Sequence, residues 1–155
     1  MLSFLLRNMV NINMQLKWIK ESEDYSDAYK VRKKVFVLEQ SIDESLELDE
    51  YEAMALHLVV YIDGIPVATG RIFEHKDAFV IGRICVIKEY RNMHLGTLLM
   101  EKLMEKAISM RAKELHLSSQ AYATGFYSKF GFEEYGNTYL DAGIEHISMV
   151  RKING

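Results

Sequence analysis

The chain holds a single cysteine, no apolar run long enough to cross a bilayer, no excess of positive charge and no clustered histidines. Each absence removes a class of function. One thiol, Cys85, cannot form an internal disulfide, which fits a reducing, cytoplasmic setting. Its place in an apolar, strand-like run makes it a buried small hydrophobe rather than a nucleophile. No segment approaches the roughly 20 apolar residues of a membrane span. The opening Leu-Ser-Phe-Leu-Leu is short, follows no basic region and precedes no evident cleavage site. A net charge of −3 argues against a nucleic-acid surface, which needs concentrated Lys and Arg. His57, His75, His94, His116 and His146 show no ligand spacing and no companion cysteines, so no metal site is expected. A Gly-x-Ser-x-Gly elbow is also missing.

What is present is an ordinary globular composition, 49% hydrophobic and 26% charged, in 155 residues, a length that buries a core without disulfides or metal. Residues 14–155 read as one domain. Residues 1–13 read as an extension, with an added strand or a homodimer contact standing open as its role. Residues 24–40 have helical spacing through Tyr25, Ala28, Tyr29, Arg32, Phe36 and Glu39, with Ser22 or Asp24 as cap. The cluster Lys30, Arg32, Lys33, Lys34 reads as a solvated face, and the acidic stretch 43–52 as a short helix or loop. Two strands flank Asp63-Gly64, a hairpin signal, and a third, residues 79–87, returns through residues 74–77 to complete a meander. After Gly96 an amphipathic helix follows, then a short buried strand from Leu115, a helix over 122–130, and strands at 132–135 and 146–151. Strands in runs with helices between the later ones spell a mixed α/β (α+β) domain.

The stretch between the meander and the amphipathic helix is the most informative. A strand feeding a tight turn that opens a helix offers free amides and the positive helix end to an anion, usually a phosphate. Here the turn reads Arg91-Asn92-Met93-His94-Leu95-Gly96. Gly96 stands alone and is followed by Thr97, so neither the Walker nor the dinucleotide pattern applies. Arg91-x-x-His94-x-Gly96, after Ile84-Cys85-Val86-Ile87, resembles the acetyl-CoA motif of the GCN5-related N-acetyltransferase (GNAT) family. His94 replaces a glycine usual in that motif, and His tolerates left-handed backbone better than most residues.

Two further blocks carry the resemblance. Phe126-Tyr127-Ser128-Lys129-Phe130-Gly131-Phe132 resembles the family's penultimate helix and the strand after it, with Gly131 as the residue beyond the helix end. Arg32-Lys33-Lys34-Val35-Phe36-Val37-Leu38-Glu39-Gln40 and the ending from Tyr139 to Met149 are similar to the ElaA-like subgroup, although Ala142 and Glu145 stand where Asp and Pro are usual.

The resemblance implies the GNAT acyl-CoA N-acyltransferase fold and an N-acetyltransferase that moves the acetyl group of acetyl-CoA to a primary amine of a small molecule or peptide. It implies that backbone groups of Ile84, Cys85 and Val86 pair with pantetheine, that amides of Asn92, Met93, His94, Leu95, Gly96 and Thr97 hold pyrophosphate, that Arg91 adds charge, and that Gln120 bonds pantetheine. Tyr127 would be the catalytic acid toward the leaving thiolate. A phenol suits that role, because charge builds on a sulfur whose thiol pKa is near 8.5. For the general base, Glu39, Glu50, His57, Arg83, Asp141 and His146 remain open, with His57 and His146 better read as hydrogen-bonded structural residues and Glu39 as a cap or a partner of Arg32. Two other functions stand beside the enzyme: an acyl-CoA-binding module without turnover, and an interaction subunit using its aromatic surfaces.

Overall fold

The computed structural model describes residues 12–153 and shows a seven-stranded sheet in the order β1-β2-β3-β4-β5-β7-β6. The strands are β1 (Met14–Ile19), β2 (Leu56–Ile62), β3 (Ile65–His75), β4 (Ala78–Val86), β5 (Glu114–Gln120), β6 (Glu133–Asp141) and β7 (Ile144–Lys152). All neighbours run antiparallel except β4 and β5. The extension read over residues 1–13 lies almost wholly outside the described residues. At its end Ile12 packs on the core, and Asn13 exchanges hydrogen bonds with Asp63.

Two-residue turns set the register of the meander. Asp63-Gly64 and Lys76-Asp77 both have positive φ, 49° and 79° in the first and 49° and 63° in the second, the mirror-image turns that match strand twist. Ala142-Gly143 joins β6 to β7 in the same way. The strand expected at 132–135 is therefore only the start of β6, which continues to Asp141 as an exposed edge.

The helices are α1 (Ser26–Arg32), α2 (Glu44–Glu47), α3 (Leu95–Ser109) and α4 (Thr124–Ser128). They cover both faces of the sheet, which is why β2 is buried almost throughout, His57 included, instead of alternating. Leu58 and Val60 face α3 with Leu99, Met100 and Leu103, while Val59 packs with Ala28 of α1 and Val31 and Val35 pack on Cys85 and Ile87. Asp24 serves α1 by accepting a hydrogen bond from the Ser26 amide at 2.9 Å.

Two expected helices differ from the regular form. Beyond Arg32 the turns widen into a π-helix, Lys33–Glu39, in which the Gln40 amide reaches back five residues to the Val35 carbonyl at 3.0 Å. The span 122–130 is a 3₁₀ turn, Ala121–Ala123, followed by the short α4.

In the basic cluster Lys30 and Lys34 are exposed as expected, but Arg32 departs from the solvated reading. Arg32 is 1% exposed, and its guanidinium bonds Glu47 at 2.6 Å and Glu52 at 2.5 Å. Arg71 of β3 takes Asp49 at 2.6 Å and also Glu52. Burying ions is costly unless each has partners, so these groups hold one another in place and tie α1, α2 and β3 together. Glu52→Ala leaves two buried guanidinium groups short of an acceptor and should destabilise the fold by about 3–5 kcal/mol, measured by urea unfolding. A loss below 1 kcal/mol would show that the network carries little of the fold.

Candidate active site

β4 and β5 are paired only at Phe79↔Leu115 and Val80↔His116. Past those two pairs they diverge, while β4 stays bonded to β3 as far as Ala68↔Val86 and β5 to β7 as far as Gln120↔His146. A wedge opens between them, and in it lies a cavity of about 630 Å³. One edge of β4, from Gly82 to Val86, has no strand beside it.

A bulge sharpens this opening. Between the pairs Arg71↔Gly82 and Thr69↔Cys85, β4 uses one residue more than β3, and Arg83 takes a left-handed conformation at φ 53°. Its side chain, 26% exposed, reaches the acidic network, donating to the Glu47 carbonyl at 3.2 Å and to Asp49 at 3.3 Å.

At the C-terminal end of β4 the chain passes through a 3₁₀ turn, Lys88–Met93, into α3. His94 is left-handed at φ 56°, the conformation its sequence position calls for, and it provides no side-chain cap. The first helical bond runs from the Leu98 amide to the His94 carbonyl at 3.1 Å, so the amides of Leu95, Gly96 and Thr97 have no helical acceptor. His94, Gly96 and Thr97 line the cavity, whereas the Leu95 side chain is buried in the core, Met93 packs against it, and Asn92 is exposed. Gly96 is needed for a close approach: a Cβ there would stand 3.3 Å from the Phe126 ring of α4.

α4 forms the opposite wall. Tyr127 lines the cavity with Phe126, and its ring packs edge-on at 5.1 Å between centroids. Burial, then the neighbouring Cys85 and Tyr122, pushes the Tyr127 phenol up to about 12, so it carries its proton throughout the neutral range. Gly131 at φ 86° closes α4, with its amide on the Ser128 carbonyl at 3.0 Å. Cys85 lines the cavity from β4, but its thiol is buried and burial raises its pKa far above the ordinary range, leaving it a neutral apolar group.

The π-helix forms a third side through Phe36, Glu39 and Gln40. Glu39 takes both ends of the Arg91 fork, at 2.6 and 2.7 Å, rather than capping a helix or pairing with Arg32. Arg91 also donates to the Val86 carbonyl at 3.0 Å, so its charge is already matched at the end of β4. Gln120 donates from its amide to Gln40 at 2.9 Å, joining β5 to the same helix.

Of the remaining polar residues, Asp141 and His146 line the cavity, and the His146 Nδ1 lies 2.7 Å from the Ile144 carbonyl. His57 is buried behind it, 3.1 Å from the Glu52 carbonyl, and Glu50 is exposed away from it. Glu47, which sequence reasoning passed over, reaches the cavity; burial is the largest influence on its carboxyl and raises it despite Arg32. Its one signal was the acidic stretch, where nothing separates Glu47 from its neighbours. No group of three or more potential metal ligands occurs among the described residues. Nor is any described helix long and apolar enough to cross a membrane.

A strand pair that splays beside an uncapped helix end invites comparison with known folds, and residues 21–153 match the model of the acetyltransferase (GNAT) domain. The chain belongs to the GNAT family. It is 37% identical over 134 residues to the uncharacterized N-acetyltransferase YjcF of Bacillus subtilis, covering 85% of this chain and 95% of that protein. The protein ElaA of Escherichia coli is 32% identical over 124 residues, 77% of this chain and 81% of ElaA. The crystal structure of ElaA matches with a TM-score of 0.79 and 28% identity over 90% of this chain and 100% of that one. An acyl-CoA N-acyltransferase from Pseudomonas aeruginosa matches at 0.77 and 26%, over 90% and 99%. The GNAT fold and the ElaA-like resemblance of the sequence are thus both found in this chain.

The charged groups behind the cavity give the GNAT domain an acid-sensitive support. Burial is the first cause of a His57 pKa below its usual 6.5. The unfolded chain then binds a proton that the folded one refuses, and stability from this residue is lost as pH falls below 6.5. Burial would raise Asp49, but the hydrogen bonds and charge of Arg71 outweigh it and hold the carboxyl at about 2; that contribution is lost as pH falls from the ordinary aspartate value of 3.8 to 2. Glu47 acts in the opposite sense above the ordinary glutamate value of 4.5, so the histidine must be isolated by difference. The excess unfolding free energy of the wild type over His57→Gln should shrink as pH falls from about 7 to 5. An excess independent of pH would remove His57 from the acid response.

Proposed function

We propose that this GNAT domain is an acetyl-CoA-dependent N-acetyltransferase acting on a primary amine by direct attack within a ternary complex. The carrying observation is the coincidence, in one cavity, of an unpaired β4 edge, an uncapped α3 end and a protonated Tyr127. These features fit an acyl-CoA in different ways. Backbone groups of Ile84, Cys85 and Val86 offer the pairing that an extended amide-containing chain such as pantetheine takes at a sheet edge. The free amides of Leu95, Gly96 and Thr97, with the positive end of a 15-residue helix, suit a pyrophosphate. Asn92, Met93 and His94 complete the turn through their backbone. Arg91, held by Glu39, acts mainly by fixing the turn to the end of β4. Gln120 sits where its amide can exchange Gln40 for a pantetheine carbonyl.

The bound thioester supplies the acyl group. The amine nitrogen forms a bond to the thioester carbonyl carbon as the carbon–sulfur bond breaks, and the departing sulfur receives a hydrogen bond and then a proton from the Tyr127 hydroxyl. The cavity wall holds the two reactants together, which turns a bimolecular step into a local one. The ammonium proton released from nitrogen balances the one taken up by sulfur.

Calorimetric titration with acetyl-CoA and with CoA, followed by a thiol-release assay over amines, tests this reading. Micromolar binding and amine-dependent release are expected; absence of binding would refute it. Tyr127→Phe should lower kcat by about 10²-fold or more while leaving acetyl-CoA affinity within about twofold. Unchanged turnover would take the proton role from Tyr127. His94→Gly relieves a left-handed side-chain-bearing residue and opens the turn, so CoA affinity should hold or rise. A fall of tenfold or more would make the imidazole itself a ligand contact.

A further inference from the structure

Arg83 is a charged group of the cavity whose guanidinium is only partly satisfied. Its Nε is buried without a hydrogen-bond acceptor. The carboxylates near it are claimed first by others: Arg32 holds Glu47 at 2.6 Å and Arg71 holds Asp49 at 2.6 Å, leaving Arg83 at 3.6 Å and 3.3 Å from the same two groups. Nη1 has no partner among the described residues. Arg71 also has an unpartnered Nε, but it makes short contacts to two carboxylates and does not line the cavity. Arg83 does line it, from a bulge where a non-glycine residue sits at φ 53°. Such backbone is strained for a residue with a side chain and persists where the surrounding structure imposes it. Burial, and then Arg71, make the charged form harder to hold, so an added anion would be welcome.

The place of Arg83 along β4 says which reactant carries that anion. The uncapped end of α3 follows the C-terminal end of β4, and the unpaired edge runs back from Val86 through Cys85 and Ile84. A pantetheine anchored by its pyrophosphate at α3 therefore directs its sulfur toward residue 83, where the acceptor must meet it. The surrounding charge permits a second anion there: Glu39 is paired with Arg91 and Glu47 with Arg32, while Lys129 lines the cavity together with Asp141 and offsets it.

We propose that the Arg83 guanidinium binds a carboxylate of the acceptor, so that the acceptor is an amino acid or a comparably small amine bearing a carboxylate. The inference rests on the acetyltransferase reading above. Nη1 is a donor of this cavity-lining side chain left without a partner, and an ionised carboxylate oxygen takes a short, charge-assisted hydrogen bond from it. Binding then fixes the amine at a set distance from the carboxylate and so orients it toward the thioester.

The test is acetyl-CoA-dependent thiol release with matched pairs, an amino acid and its carboxamide: glycine and glycinamide, methionine and methioninamide, phenylalanine and phenylalaninamide. The carboxamides have the less basic amines and hence more free base at neutral pH, so intrinsic reactivity favours them. The wild type should nonetheless prefer at least one acid over its amide by about tenfold or more in kcat/KM. Arg83→Gln should erase that preference through acceptor KM with acetyl-CoA affinity unchanged, and Arg83→Lys should restore part of it. Preference retained in Arg83→Gln, or amides favoured by the wild type, overturns the proposal. A wild-type preference for succinyl-CoA over acetyl-CoA that Arg83→Gln removes would put the carboxylate on the acyl donor and overturn the acceptor assignment. If acetyl-CoA binds but no amino acid releases thiol, the assignment fails while the acetyltransferase reading stands. If acetyl-CoA does not bind, that reading fails first.

Discussion

Two residue pairs hold β4 to β5, and the rest of the cavity follows from the parting of the strands beyond them. A parallel neighbour would have taken up the hydrogen-bonding edge of β4; without one, that edge is available to a ligand with its own amides. The same divergence sets the end of α3 and the side chains of α4 on facing walls. Gly96 is the point where the walls touch, since a side chain there would press on Phe126 beside Tyr127. The turn that receives phosphate and the helix that carries the phenol are thus coupled through one missing Cβ.

Behind this wedge lies an ion network that is structural at its base and incomplete at its mouth. Three guanidinium groups face Glu47, Asp49 and Glu52, so charge balances overall, but the short contacts belong to Arg32 and Arg71. Buried pairs of this kind add little net stability, yet they are severely unforgiving of losing a member. Their use here is positional: they fix α1, α2 and β3 and keep the carboxylates from folding back around Arg83. A side chain held in this way, with a donor left open, is preorganised for a ligand as well as for its neighbours.

Much of this fold is written in local patterns. Asp63-Gly64 sets a hairpin because both residues accept positive φ, the heptad-like spacing after Gly96 marks α3, and Gly131 marks the end of α4. The turn at residues 91–97 and the block at 126–132 also carry the family resemblance. What stayed hidden is nonlocal. Arg32 meets partners 15 and 20 positions away, and short-range charge patterning sees only neighbours three or four residues apart. The π-helix was unreadable for another reason: one extra residue per turn barely disturbs the spacing of Val31, Val35 and Phe36. Gly82, a glycine inside a strand pattern, is the one local sign of the bulge at Arg83, and only the pairing of β3 with β4 exposes the extra residue. The pairing of Arg91 with Glu39, 52 positions away, was equally beyond local patterning.

The raised pKa of Tyr127 constrains how the proposed reaction uses it. The burial that pushes the phenol up to about 12 also raises the thiol it faces, because either anion would stand in the same low-polarity cavity. Neither group gains by ionising first, and the phenol acts at the start by hydrogen-bonding the charge that develops on sulfur. That interaction gains strength from the burial that raised the pKa, since the same low-polarity surroundings strengthen a hydrogen bond to a growing anion. The proton then passes from the phenol to sulfur, and Tyr127 is reprotonated as the product leaves and water enters. Because Tyr127 stays protonated across the neutral range, a change in rate with pH between 6 and 9 reports the acceptor amine and whatever receives its proton, and not the tyrosine.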